Sequence, residues 1–372
     1  MEKILLNYIY LGERHAGGKD QLGLNLLRGF QELGVADRFQ VICYDYSKKI
    51  IKSMAPDVEI YTIQSTKAKN ELHRMAKLCF ANTFIVPRVV KELQPKCLFH
   101  LSYNTGLKKL KVKEIVLPAD IKAISHRTLG GRTIPFYKYF LYKAMYYWDF
   151  KKNDYIIAMC NFDQEQIKKY YAKFDSKIQL ISIPVNIKMF ERNPVEKPYI
   201  TAINLQFYHK NIITLLKAFA QIKDEISHDL ILVGKLHKRV DFLKDYVKNN
   251  HLQKRIKFTG FMEEDEMYQT LANSSLYVNP SLYEGFGMTA VESMVLKVPT
   301  LIANVTANYE VTKGRCFYYT PADDANELAK NIKHCLSNLP DENTLQAISE
   351  LMIESYHYKG ISNQYWEFFN NI

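Results

Sequence analysis

A chain of 372 residues is long for one hydrophobic core, and 47% hydrophobic with 24% charged residues excludes a disordered protein. The formal charge of +11 needs an anionic counterpart: nucleic acid, an acidic membrane surface or a phosphorylated small substrate. No apolar run reaches about eighteen residues, which excludes a bilayer-spanning helix.

Read in chain order, the N-terminal MEKILLNYIYLGERH has no small-residue cleavage site and suits a buried first strand better than a signal peptide. Short β-rich runs then alternate with amphipathic stretches: KILLNYIY, FQVICYD, VEIYTI, CLFHLS, EIVLPA, YIIAM and IQLISI. After the first run, KDQLGLNLLRGFQELG puts Leu22, Leu26, Leu27 and Phe30 on one helical face and stops at Gly34. The segment PVNIKMFERNPVEKPY (184–199) has three prolines and no clean period, and reads as a linker over 185–198. The rhythm restarts with YITAIN, the helix NIITLLKAFAQIKDE, LILVG, a Lys-rich helix, RIKFTG, DEMYQTLAN, SLYVNP, SLYEGFGMTAVESM, PTLIA and CFYYT. This alternation predicts an α/β protein of two doubly wound Rossmann-like domains, 1–184 and 199–354, facing a cleft at the carboxyl ends of their strands. The aromatic C-terminus is expected to be helical, with 355–372 packing back on the first domain. Cys43, Cys79, Cys97, Cys160, Cys316 and Cys335 form no CxxC pair and no zinc-spaced cluster, so they are expected to be reduced thiols of a cytoplasmic protein.

Strand-to-helix turns carry the candidate chemistry. GERHAGGKDQ sets Gly17 and Gly18 before a helix N-terminus, where backbone N–H groups can approach an anion; a plain turn is the equal alternative. No GxGxxG or GxxxxGK[ST] follows a strand, which argues against a dinucleotide dehydrogenase and a P-loop NTPase. In NLQFYHKN, His209 and Lys210 precede a helix starting near Asn211. Lysine there opposes the helix dipole, a penalty that a shared anionic ligand removes; a solvated lysine is the bland alternative. In SLYEGFGMTAVESM, Glu284 sits in a glycine-flanked turn and Glu292 stands about one turn above the helix start, with Leu282, Val291, Met294 and Val295 on the buried side. Between the carboxylates, the N–H groups of Phe286, Gly287 and Met288 suit a phosphate. Acceptor, donor, acceptor fits a sugar, a diphosphate and a ribose in that order. Helix formation alone is the other reading of both glutamates. A hydrolytic acid/base pair is not expected, because Glu292 lies on the helix.

The stretch NPSLYEGFGMTAVESMVLKVPTLIANV resembles the signature of family 4 of the retaining glycosyltransferases, which have the two-Rossmann (GT-B) fold. That family carries E-G-F-G, a second Glu after seven intervening residues, then V-P before a short strand. The resemblance spans most of the chain, strongest over 210–328 and weak over 47–113. It implies that Glu284 binds donor-sugar hydroxyls, Glu292 binds the ribose, and Lys210 holds the diphosphate and neutralises the leaving group. It further sets the backbone of Phe261 and Met262 against the nucleobase, and brings Gly17 and Gly18 to the diphosphate and donor. Two departures stand out. Many members have an Arg five or six residues before the Lys, where this chain has Leu205 and Asn204, so one diphosphate clamp is missing unless His209 substitutes. The His-Asp of many members, whose His contacts the donor near its C6 hydroxyl, corresponds to Ala119-Asp120. Either His126 fills in, or the donor is a 6-deoxyhexose.

The implied reaction moves a hexose or 6-deoxyhexose from a nucleotide-diphosphate sugar to a saccharide or lipid-linked saccharide hydroxyl, in cell-surface polysaccharide or glycoconjugate synthesis. Retention without an evident nucleophile suggests a front-face displacement in which the leaving phosphate takes the acceptor proton. Asp120 either assists or caps a turn. No DxD follows an apolar strand, so neither a metal nor a further cofactor is expected. Basic clusters occur at GLKKLKVKE (106–114), FYKYFLYKAMYYWDFKK (136–152) and GKLHKRVDFLKDYVK (234–248). The second interleaves Lys138, Lys143, Lys151 and Lys152 with aromatics, which suits either the acidic inner face of a membrane or core packing. Two rival readings are a nucleotide-sugar epimerase on the same fold and a basic nucleic-acid binder. Against the latter, no dense Arg patch or reading motif is present, and no nucleic-acid partner is expected.

Overall fold

The computed structural model describes residues 3–13, 17–65, 71–205, 207–236 and 240–372, leaving out the side chains of residues 71 and 72. Residues 14–16 of the turn before Gly17 and 237–239 of the third basic cluster lie outside the described residues. The chain divides into two compact units: Met1–Arg127, Ile134–Asn186 and Tyr356–Ile372 form the first, and Thr128–Thr133 with Ile187–Ser355 the second.

In the first unit, β1 (Ile4–Asn7), β2 (Phe39–Tyr44), β3 (Glu59–Ile63), β4 (Cys97–His100) and β5 (Lys113–Val116) precede a short hairpin of β6 (Thr128–Leu129) and β7 (Arg132–Thr133). After it come β8 (Tyr155–Ala158) and β9 (Ile178–Leu180). Apart from the hairpin these strands form one sheet, ordered β3-β2-β1-β4-β5-β8-β9, in which every pairing is parallel. The central strands β1, β2 and β4 are buried along their whole length. This is the mark of a sheet covered on both faces, and why these strands read as unbroken apolar runs.

The C-terminal helix Tyr358–Asn371 belongs to this unit. It lies so close to the helix Gly18–Glu32 that a Cβ on Gly29 would stand 2.1 Å from Ser362 Oγ and 2.4 Å from the Tyr358 carbonyl. Its Tyr365 and Phe369 meet Phe99 at ring-centroid distances of 5.6 and 5.3 Å, so the last residues complete the core begun by the first strands. Beneath the loop after β4 runs a buried polar layer. Lys152 Nζ donates to Glu114 Oε2 (2.8 Å) and to the Thr105 carbonyl (2.7 Å), while Asp149 accepts from the backbone of Asn104 and Thr105. Because both charges have partners, this layer ties the helix Phe136–Lys152 to the sheet without leaving a bare buried ion.

The second unit contains β10 (Tyr199–Ile203), β11 (Asp229–Val233), β12 (Ile256–Gly260), β13 (Leu276–Asn279), β14 (Thr300–Ala303) and β15 (Phe317–Tyr319). Their order is β12-β11-β10-β13-β14-β15, again wholly parallel. Strand order reverses direction at the β10/β13 pair, the place where a crevice opens at the carboxyl ends of an open α/β sheet. The β6–β7 hairpin joins this unit, although it falls within the sequence range expected for the first domain. Arg132 stacks on the Tyr208 ring, 3.4 Å from its centroid, and donates to the Tyr208 hydroxyl. Gly130, at φ 57°, leaves room for Leu282 and the Tyr208 carbonyl. All six cysteines are free, four of them buried.

Candidate functional site

The two loops that leave β10 and β13 meet at the reversal point of the second sheet. After β10, a single 3-10 turn, Tyr208–Lys210, precedes the helix Ile212–Ile222. Asn211 separates them in a left-handed conformation (φ 53°). Its side chain donates to the carbonyls of Pro280 (3.1 Å) and Ala322 (2.9 Å), tying three loops together. After β13, Asn279 Oδ1 accepts from the Ser281 N–H at 3.1 Å, closing an Asx turn around Pro280. The chain therefore turns sharply, and Glu284 comes to face Lys210.

Lys210 Nζ donates to Glu284 Oε1 at 2.7 Å, and Asn279 Nδ2 donates to the same oxygen at 3.2 Å. Thr306, in the loop after β14, clasps the Glu284 backbone twice: its Oγ1 accepts from the N–H (3.0 Å) and donates to the carbonyl (2.7 Å). Burial pushes the Glu284 carboxyl up, but Lys210, with Ser281 and Asn279, outweighs it and holds the group well below the usual carboxylate range. Expected from the sequence to oppose the helix dipole, Lys210 finds its counter-charge in Glu284.

Glu292 sits in the opposite environment. It lies in the helix Met288–Val295, 5% exposed, and its Oε1 accepts from Tyr268 at 2.8 Å. Burial raises its carboxyl to about 7 despite that hydrogen bond, and Glu264 adds to the rise. The hydroxyl of Tyr277, on β13, is pushed well up by burial and then by both Glu284 and Glu292, so it stands near the two carboxyls. Near pH 7 one glutamate is thus held ionised, while the other is about half protonated.

Between them Gly287 caps the helix with φ 91°, and a Cβ there would stand 3.2 Å from Asn308 Oδ1. Phe286 is buried; Gly287 and Met288 are half-buried at the helix N-terminus, where an anion finds backbone donors and a favourable dipole. Leu282, expected on the buried side of this helix, lies instead in the turn before it, because the helix begins only at Met288. Gly287→Ala is expected to cost about 1–2 kcal/mol for the left-handed backbone, read as a lower urea midpoint at unchanged m.

The remaining sequence-derived residues fall as follows. The His209 ring stacks on Phe207 (centroids 5.5 Å apart), and its carbonyl accepts from the Leu282 N–H. Phe261 is 54% exposed and Met262 half-buried just past the carboxyl end of β12. Leu205, one of the two positions where the resemblance leads an Arg to be expected, is fully buried in the core of the second unit. Gly17, Gly18 and Asp120 belong to the first unit. Gly17 is the N-cap of the helix Gly18–Glu32, and a Cβ there would meet nothing within 4 Å. Ala119 takes a left-handed φ of 70°, and Asp120 Oδ1 accepts from the Lys122 N–H at 3.0 Å, so the carboxylate serves a turn. His126 Nδ1 pairs with Ser125 Oγ at 2.9 Å. Asn211, Asn279, Tyr268 and Thr306 escaped the sequence reading. Only the Asn-Pro pair at 279–280, a turn signal, could have drawn attention to one of them.

Residues 186–350 match the family model "Glycosyl transferases group 1". The O-antigen chain mannosyltransferase RfbU of Salmonella typhimurium is 24% identical over 316 residues, covering 80% of this chain and 88% of that protein. The O-antigen chain mannosyltransferase B of Escherichia coli is 24% identical over 201 residues, 50% of this chain and 52% of its own. Among solved structures, the sucrose-phosphate synthase of Thermosynechococcus elongatus superposes with a TM-score of 0.80 at 16% identity, covering 100% of this chain and 99% of its own. Anabaena Alr3699/HepE, in complex with UDP and glucose, does so with a TM-score of 0.74 at 17% identity, with 100% of both chains covered. The fold is GT-B. The family match and the curated relatives support a glycosyltransferase of that superfamily.

Proposed function

We propose that the chain is a retaining, metal-independent hexosyltransferase of family 4. In this reading it moves a hexose or 6-deoxyhexose from a nucleotide-diphosphate sugar to a saccharide or lipid-linked saccharide hydroxyl during cell-surface polysaccharide synthesis at the cytoplasmic side. The Lys210–Glu284 pair, clamped at the carboxyl ends of β10 and β13, is the observation that carries it. The UDP-glucose bound by Alr3699/HepE, and the names of RfbU and mannosyltransferase B as O-antigen chain mannosyltransferases, favour the same class of substrates.

The residues then divide the work. Glu284, ionised, accepts hydrogen bonds from donor-sugar hydroxyls. Lys210 shares its ammonium between Glu284 and the diphosphate, so positive charge is already in place as the C1–O bond loosens and negative charge gathers on the leaving phosphate. The Met288 helix N-terminus and the Gly287 backbone hold the diphosphate, Glu292 the ribose, and the backbone of Phe261 and Met262 the nucleobase. Positive charge builds on the sugar ring while the acceptor hydroxyl enters on the face the phosphate leaves. The departing oxygen takes the acceptor proton, so no protein nucleophile is needed and Asp120 stays a turn cap.

A thermal-shift screen of UDP-, GDP- and dTDP-sugars, 6-deoxyhexoses included and with chelator throughout, tests the reading. A true donor at about a hundred times its dissociation constant is expected to stabilise the protein by about 2.7 kcal/mol. Glu284→Ala is expected to abolish that shift. No stabilisation by any of these donors, or stabilisation that returns only with manganese, would refute the assignment.

A further inference from the structure

The helix Phe136–Lys152 presents apolar side chains on two opposite faces. At about 100° per residue, Tyr139, Tyr142, Tyr146, Asp149 and Phe150 share one side, and all but Asp149 pack into the core of the first unit. The other side is a continuous row: Phe136 (61% exposed), Tyr137 (70%), Phe140 (48%), Leu141 (45%), Tyr147 (37%) and Trp148 (39%). The core-packing reading therefore accounts for one face and leaves the other in water. A solvated aromatic row about 20 Å long is more than scattered surface residues explain.

The charged groups seen against the rings of this row are cations. Lys138, Lys143 and Lys151 are exposed on the helix, and Lys151 Nζ stands 5.3 Å from the Trp148 ring. From neighbouring segments, Lys173 reaches over the Tyr147 ring at 4.1 Å and Arg127 over the Phe136 ring at 5.2 Å. The helix has a single carboxylate, Asp149, which is buried and spent on Asn104 and Thr105. Aromatic rings flanked by ammonium groups match the boundary of an anionic bilayer, where rings settle at headgroup depth and cations on phosphate. A second copy of the chain is a poorer occupant, since pairing this face with itself would set like charges against each other.

We propose that the outward face of Phe136–Lys152 docks the first unit on a membrane surface of anionic lipid. The proposal stands apart from the donor chemistry of the second unit. Flotation with vesicles of phosphatidylcholine, alone or mixed with phosphatidylglycerol, tests it. The protein is expected to rise with the mixed vesicles, and to rise less as salt increases. Each of Lys138→Gln, Lys143→Gln and Lys151→Gln is expected to weaken partitioning about fivefold. With Trp366→Phe leaving Trp148 as the one indole, mixed vesicles are expected to shift its emission to the blue. Phe140→Ser with Trp148→Ser, both at exposed positions, is expected to lose flotation while keeping the far-UV spectrum. Failure to rise with mixed vesicles overturns the proposal, as does equal flotation with phosphatidylcholine alone. A concentration-dependent dimer in sedimentation that Trp148→Ser abolishes would assign the face to a second copy and overturn it too.

Discussion

Lys210→Ala is expected to lower kcat/KM for sugar transfer by about 10²- to 10³-fold, the usual effect of removing one preorganised group that meets developing charge. The loss should fall mainly on kcat, because the leaving phosphate becomes fully charged only as the C1–O bond breaks. Stability should fall as well. The side chains of Lys210 and Glu284 are 17% and 10% exposed, so removing the ammonium leaves a buried carboxylate without its counter-charge. Breaking a buried pair on one side costs about 3–5 kcal/mol, and the residual exposure here points to the lower end. The two effects separate in a double variant. Lys210→Met with Glu284→Gln removes both charges, keeps similar volumes, and is expected to recover most of the stability while remaining inactive. Wild-type turnover in either Lys210 variant would assign the pair to folding alone.

Why the sequence revealed the sheets but not this pair follows from the range of each signal. A parallel strand covered on both faces is a short apolar run bounded by turns, and β1, β2, β4, β10 and β13 all show one. The hairpin β6–β7 has two residues in each strand, too few to show a period. Lys210 and Glu284 are 74 positions apart, and only the strand order brings their loops together. Asn211 and Thr306 are loop residues whose side chains hold backbone groups of distant segments, a task without periodicity, and Asn279, the last residue of β13, holds the backbone of the turn that follows it. For Phe136–Lys152 the sequence pattern was ambiguous for a physical reason: a helix apolar on two opposite sides has almost no amphipathic asymmetry. Burial separates the faces where spacing cannot.

Glu292 is expected to reverse the usual dependence of stability on pH. An unfolded chain ionises this carboxyl near 4.5, whereas the folded protein holds its proton up to about 7. Between those values the native state binds more protons than the unfolded one, so stability is fully present below about 4.5 and lost as pH rises through 7. The gap corresponds to about 3 kcal/mol. Glu292→Gln keeps an acceptor for the Tyr268 hydroxyl without the buried charge; it should therefore stabilise the protein by most of that amount at pH 8 and leave stability at pH 4.5 nearly unchanged. Function should move the other way. Ribose hydroxyls that donate to Glu292 favour its carboxylate, so nucleotide binding should release a proton near neutral pH and tighten as pH rises toward 8. Calorimetry in buffers of different ionisation enthalpy measures that proton directly. At pH 8 the glutamine variant is expected to lose about 1.5–3 kcal/mol of nucleotide affinity, the worth of a hydrogen bond to a charged group. A more stable protein that binds nucleotide less well would show that the buried carboxyl is kept for its ligand at the expense of the fold. Equal affinity in wild type and Glu292→Gln at pH 8 would remove Glu292 from the donor site.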